Sequence, residues 1–236
     1  MVLEAAEAID DLASKVEARL GKKRGRKALE DAVHDVIAES IRTHKAIIFN
    51  GDGYSPEWHT EAEEERGLLN LKTTPDALPE LTSEKAVAAF EAYGVLSEKE
   101  LHSRQDIFTE QYVKTINIEA ATTENLARTL VLPAAVRYLA ELGEAAGVAA
   151  GFKLSAAGPK AVAAEVVEHV NALQAALAAL AKAREAAHKA KDEAAAMQAK
   201  VIPAMAKVRA ACDALETVVS ADLWPLPTYR EMLFVK

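Results

Sequence analysis

From Ser97 to Leu142 the chain has no glycine and a single proline, Pro133, and from Ala161 to Lys200 it has neither. A helix interior tolerates glycine at a cost of about 1 kcal/mol and proline at about 3 kcal/mol, so such stretches are where long helices form. Ser97 followed by Glu100 predicts a capping box. Beyond it, Leu101, Phe108, Tyr112 and Ile116 recur at helical spacing, and Ile107, Val113 and Ile118 place apolar groups on other sides. A helix apolar on several sides is one buried between neighbours. The expectation is a central helix over 97–142, kinked at Pro133, with Tyr112 and Ile116 both in the core.

The second stretch carries Val166, Val170, Leu173, Leu177 and Leu180 at spacings of three and four. Val208, Cys212, Leu215 and Val219 form another such stripe. Both are seams of the coiled-coil kind. One rod over 160–220 would be about 90 Å long. An antiparallel hairpin buries both seams, and its turn is expected near His188 to Asp192, where charge replaces the apolar stripe. The fold class is therefore all-α: an irregular helical domain around a central kinked helix, with a long antiparallel helical hairpin. Abundant alanine and only 10 glycines and 8 prolines in 236 residues agree with this.

Before the central stretch, residues 2–20 read as an amphipathic helix with Val2, Ile9, Leu12, Val16 and Leu20 on one face and Gly21 as its C-cap. Residues 27–43 read as a second helix with Leu29, Val33, Val36, Ile37 and Ile41 inward. Ala46 to Phe49 is an apolar run read as a lone strand or a buried extended segment, closed by a turn at Asn50-Gly51-Asp52-Gly53. Ser55-Pro56 signals a helix start and Gly67 its end. Residues 68–81 read as irregular, and Ser83 to Tyr93 as a short helix closed by Gly94. A break is expected over Gly147, Gly151, Ser155, Gly158 and Pro159. The terminal run Asp222 to Tyr229 reads as an extended aromatic tail docked in a groove. The divisions expected are 1–45, 46–150, 151–221 and 222–236.

A net charge of −8 makes nucleic acid and anionic membranes poor partners. A single cysteine excludes an internal disulfide framework and fits a reducing cytoplasm. Glu4 and Glu7 lie where a secretory signal would be basic and then apolar, so none is expected. No apolar run reaches the roughly 20 residues that span a bilayer.

Few residues suggest chemistry. His102, Asp106, Glu110 and Lys114 are four apart on one helix face, a spacing open to a divalent metal. The plainer reading is a row of ion pairs in which Lys114 already balances Glu110. Asn50 and Asp52 resemble the start of a calcium loop whose terminal glutamate is missing. Lys22 to Lys27, KKRGRK, is either an anion patch or a solvated connector, and no aromatics are interleaved for stacking on bases. His34, His44, His59, His169 and His188 lack ligand spacing. Cys212 reads as a small core residue. No catalytic, cofactor-binding or metal residue is assigned.

Five blocks carry a resemblance: IIFNGDGYSPEWHTEAEEERGLLNLKTTPDALPEL at 47–81, YGVLSEKELHSR at 93–104, EQYVKTINIEA at 110–120, KVIPAMAKVR at 200–209 and DLWPLPTY at 222–229. In content and order they resemble the C-terminal part of type III glutamine synthetases. The resemblance implies a parent enzyme that joins glutamate and ammonia using ATP, with magnesium or manganese, in a large ring with active sites between subunits. It implies that the family's metal, nucleotide and glutamate motifs precede this region, that residues 1–45 are terminal helices of the catalytic domain, and that the chain alone is inactive. Its partners would be its own catalytic domain and the other subunits of a cytoplasmic ring, and its role assembly or regulation. The alternative is a free-standing helical scaffold without ligase activity.

Overall fold

The computed structural model describes residues 2–234, leaving aside the side chains of Val2, Leu3, Glu4, Ala46 and Tyr229. The readings made of Val2, Glu4, Ala46 and Tyr229 as side chains lie outside the described residues. The chain is 78% helical, with no strand among the described residues. It divides into two compact units, one ending at Ile107 and one beginning at Phe108.

In the first unit, α1 (Val2–Leu20) and α2 (Arg26–Thr43) pack as a hairpin. Gly21 closes α1 in the left-handed region at φ 53°, where a side chain would be strained. The face that α2 buries is narrower than the sequence suggests. Ala32 and Val36 are buried, while Leu29, Val33, Ile37 and Ile41 are exposed. The exposed four stand at i, i+4 spacing, rotated about 100° from the Ala32–Val36 row, so covering one row leaves the other in solvent.

Four short elements follow. Lys45–Ile47 is a 3-10 turn, and Ile48 beyond it is extended without pairing into a sheet. Ser55 caps α3 (Pro56–Thr60), its hydroxyl accepting from the Trp58 N–H at 3.1 Å, and Pro56 occupies the first turn as expected. A π turn over Glu61–Glu65 extends α3 to the Gly67 stop. Residues 73–82 are more regular than the sequence reading: α4 (Thr74–Ala77) is capped by Thr73 and runs into a 3-10 turn over Leu78–Thr82. Ser83 caps α5 (Glu84–Ala92), which packs on α1. Leu101 is fully buried, and the Thr82 hydroxyl meets Gln105 at 2.8 Å.

The expected long helix is present and longer than predicted. α6 (Glu98–Leu126) opens with the Ser97–Glu100 capping box: the Ser97 N–H donates to the Glu100 carboxylate at 2.8 Å, and the Glu100 N–H to the Ser97 hydroxyl at 3.4 Å. It continues through a π turn at Ala127–Val131 into α7 (Leu132–Gly151), one helical run of 54 residues. Gly147 and Gly151 therefore lie inside a helix and do not break it. The break is confined to residues 152–156, where Lys153 turns the chain at φ 61°. Gly158 and Pro159 belong to the first turn of α8 (Ala157–His188), where proline's missing N–H is one that has no intrahelical partner anyway.

In the second unit, α8 is the hub. It packs on α7 before it and on α10 (Ile202–Glu216) after it, and Val166, Leu173, Leu177, Leu180 and Ala187 are all buried. The return arm consists of α9 (Glu193–Ala196), a π turn over Met197–Val201 and then α10. Met197, Val201, Val208 and Leu215 close onto the same core as Leu173 and Leu180. This is the antiparallel hairpin, within one chain, and its turn falls at 189–192 with Asp192 capping α9 through the Ala195 N–H at 2.9 Å.

Two of this unit's prolines follow a π turn by two residues: Val131-Leu132-Pro133 and Val201-Ile202-Pro203. A proline ring crowds the carbonyl four residues back and removes a ladder bond. A wider turn just ahead of it accommodates both problems without ending the helix. Sequence reasoning placed a kink at Pro133 and did not mark the same device at Pro203.

Tyr112 is half-buried against the core rather than inside it, whereas Ile116 is buried. Ile107, Phe108 and Ile118 are exposed, which corrects the reading of a helix covered on several sides. Within the second unit α8, more than α6, occupies the middle position.

Candidate functional site

The metal-like stripe resolves into ion pairs. His102, Asp106, Glu110 and Lys114 are all exposed on α6. Lys114 bonds Glu110 at 2.6 Å and His102 approaches Glu98 at 3.9 Å. No three metal-ligating side chains converge among the described residues. The residues present therefore offer no fit to the magnesium or manganese of the resemblance. Asp52 serves its own turn, its carboxylate accepting from the Tyr54 N–H at 2.9 Å.

The basic loop is a solvated connector. The Arg24 guanidinium donates to the carbonyls of Gly21 and Lys23, Arg26 bonds Glu30 at 2.7 Å, and Arg19 bonds Glu39. Asp31 and Asp35 share the hollow that Lys23 and Lys27 line, so positive charge is not isolated there. Among the histidines, His188 meets Glu193 at 2.5 Å across the hairpin turn, a contact between two elements that helical spacing does not announce.

Two clusters escaped sequence reasoning. In the first unit the rings of Phe49 and Trp58 stack with centroids 3.8 Å apart at 14°. The Arg66 guanidinium lies 4.9 Å from the Trp58 ring centre and 5.8 Å from that of Phe49. It also donates to Glu61 and to the Ile48 carbonyl. This stack anchors the Asn50–Gly53 turn. A methyl at Gly51 would come within 2.4 Å of the Phe49 ring, so glycine is needed there for close approach. In the second unit Arg184 joins α8 to α6, bonding Asn117 Oδ1 at 3.0 Å and Glu124 at 2.9 Å. Arg128 holds the other oxygen of Glu124 at 3.0 Å.

The second unit carries an open groove of about 900 Å³. One wall is α6 and the π turn beyond it, from Ile118 to Val131; the other is α10, from Ile202 to Glu216. The terminal segment contributes Leu226, Thr228 and Met232. Leu223 and Trp224 fix that segment by packing on the core, with the Trp224 indole N–H buried and lacking a partner among the described residues. The tail is not simply extended: Thr228 and Glu231 form a capping box that starts α11 (Tyr229–Leu233). Cys212 is half-buried in the groove wall, and burial, then the Asp213 carboxylate, push its thiol up from the ordinary range. That disfavours the thiolate and agrees with the sequence reading of an unreactive packing residue. Ile118 is the available sequence signal for the groove: its place off the main apolar face reads as burial in the sequence, whereas the structure leaves it exposed in the groove wall.

No helix among the described residues is long and apolar enough to cross a membrane. Residues 32–149 match the glutamine synthetase C-terminal domain family. Over 216 residues, 88% of this chain, it is 38% identical to a type-3 glutamine synthetase of Dictyostelium discoideum and 32% identical to a glutamine synthetase of Bacteroides fragilis. A glutamine synthetase of Butyrivibrio fibrisolvens is 36% identical over 116 residues, 49% of the chain. The chain spans 29%, 30% and 16% of the lengths of these three relatives. The matched family residues run from within α2 through the long helix into the last turn of α7, and on that ground the chain belongs to the glutamine synthetase C-terminal domain family.

Proposed function

We propose that this chain works as the C-terminal helical region of a type III glutamine synthetase, supporting assembly or regulation of the enzyme while the ligation of glutamate and ammonia, with ATP and a divalent metal, is carried by residues outside it. Its partners on this reading are the enzyme's catalytic domain and neighbouring subunits in a cytoplasmic homo-oligomer. The observation that carries the reading is the set of uncovered apolar side chains on the family-matched residues: Val33, Ile37 and Ile41 on α2, and Ile107, Phe108, Val136 and Val148 on the long helix. Solvent-facing apolar rows of this size on a packed helical framework mark protein contacts. A free-standing scaffold is not favoured, since the relatives that align with 88% of the chain are glutamine synthetases.

The test is to join this chain to the catalytic part of a type III enzyme and to measure both subunit assembly by analytical ultracentrifugation and glutamine formation. Ile37→Asp and Phe108→Asp are expected to lower assembly and activity together. The chain by itself is expected to form no glutamine. Full assembly of the enzyme with the region deleted overturns the assembly role, and ligase activity that co-purifies with the isolated chain and is lost on point mutation overturns the division of labour.

A further inference from the structure

The groove of the second unit has the dimensions and charge of a helix receptor. Its two long walls, Ile118–Val131 and Ile202–Glu216, are each about 20 Å at 1.5 Å per helical residue, and the chain's own terminal segment, with Leu226, Thr228 and Met232, lines the groove beside them, so the channel takes a helix of at most about 14 residues alongside that segment. Apolar side chains line both walls: Ile118 and Leu126 on one, Ile202 and Met205 on the other, with Ile118 65%, Leu126 40% and Ile202 37% exposed. The rim is acidic. Arg209 is already engaged by Asp213 at 3.2 Å, which leaves the carboxylates of Glu119 and Glu216, one on each wall, without a cationic partner among the ion pairs described.

From this we infer that the groove docks an amphipathic helix of a partner protein, whose apolar face enters between α6 and α10 and whose flanking lysines or arginines meet Glu119 and Glu216. Apolar anchors at i, i+3, i+4 and i+7 are the means by which a helix fills such a channel. Opposite charge at the rim selects the partner and speeds its encounter. The inference concerns the second unit alone and does not depend on the assembly role proposed above.

The experiment uses the full chain and two synthetic 14-residue peptides with the same leucine pattern, one with lysine and one with glutamate at the remaining positions. Binding is read by fluorescence anisotropy at physiological salt. The lysine peptide is expected to bind at least about 10-fold more tightly than the glutamate peptide. Ile118→Asp and Ile202→Asp, at exposed sites, are each expected to weaken it about 10-fold while leaving the circular dichroism melt unchanged. Glu119→Lys with Glu216→Lys is expected to reverse the preference. Occupancy is also expected to slow alkylation of Cys212, a half-buried member of the wall. Equal affinity for the two peptides, binding indifferent to Ile118→Asp, or unchanged Cys212 alkylation at saturation overturns the inference. So does an Ile118-dependent dimer of the chain without peptide binding, which would make a second copy the occupant, or uptake of a small apolar dye alone.

Discussion

Arg184 on α8 and Glu124 on α6, sixty residues apart in sequence, meet at 2.9 Å. Both side chains are only about one-fifth to one-quarter exposed, at 24% and 19%. Asn117 and Arg128 complete the set: Arg184 donates to both Asn117 and Glu124, and Glu124 accepts from both Arg184 and Arg128. Such a network fixes the register of two helices whose apolar seams alone would tolerate sliding by a turn.

Breaking this network is expected to cost more than an exposed ion pair. Arg184→Met and Glu124→Gln should each destabilise by about 1–2 kcal/mol, and a double-mutant cycle should give a coupling near 1 kcal/mol. Urea melts of the four proteins check this. Strict additivity would mean that the pair is incidental to the register.

The core of the second unit predicts a contrast between two large apolar residues. Leu177 is 1% exposed, and Leu177→Ala is expected to cost about 3–4 kcal/mol. Phe108 is 44% exposed, and Phe108→Ala should cost less than about 1 kcal/mol in the isolated chain. Equal losses in thermal melts would show that the Phe108 face is covered in solution.

The aromatic stack gives a spectroscopic prediction. In a Trp224→Phe background, Trp58 is the one remaining indole, since the chain has two tryptophans. Gly51→Ala forces the Phe49 ring away from its present place, and Arg66→Lys removes the planar guanidinium from the indole face. Both are expected to shift Trp58 emission, and Arg66→Lys to destabilise the first unit by about 1 kcal/mol. An unchanged spectrum in both variants would mean that the stack does not persist.

The N-terminal cap of α6 sets a pH dependence. Hydrogen bonds from Ser97, backbone first and then side chain, hold the Glu100 carboxyl below its usual value of 4.5. A carboxyl whose folded value is depressed stabilises the fold fully above its unfolded value, and that contribution is lost as pH falls below 4.5 and through the lowered folded value. Glu100→Gln is therefore expected to flatten the acid limb of stability, lowering the plateau above about pH 6 and leaving the acid end nearly unchanged. Identical acid limbs for the variant and the parent chain, measured by urea melts between about pH 3 and 6, would remove Glu100 from the acid response.

How far the sequence could be read depended on which interactions are local. Ser55, Ser83 and Ser97 mark helix starts because a cap is satisfied within three residues. The hairpin of α8 and α10 is legible for a related reason: two seams of three-and-four spacing with a charged gap between them have one compact way to bury each other. The resemblance rested on short blocks such as TTPDALP and DLWPLPTY, and the comparison with known proteins agrees with it. The groove was not legible, because its walls come from residues about 80 positions apart and the same isoleucine spacing serves core and channel alike.

The sequence by itself determined that the chain is helical, where most helices begin, and that the stretch read as 151–221 folds back on itself, since helix propensity, caps and seam periodicity act over a few residues. Tertiary structure decided which apolar rows are covered. On α2 it chose Ala32 and Val36 and left Leu29, Val33, Ile37 and Ile41 in solvent; on the long helix it took Leu101 and Ile116 and released Phe108 and Ile118. It also absorbed Pro133 and Pro203 by widening the turn before each, keeping the helical path where a proline would otherwise end it. A helix with two apolar rows has no local reason to prefer either; the choice belongs to the shape of the neighbour that packs against it.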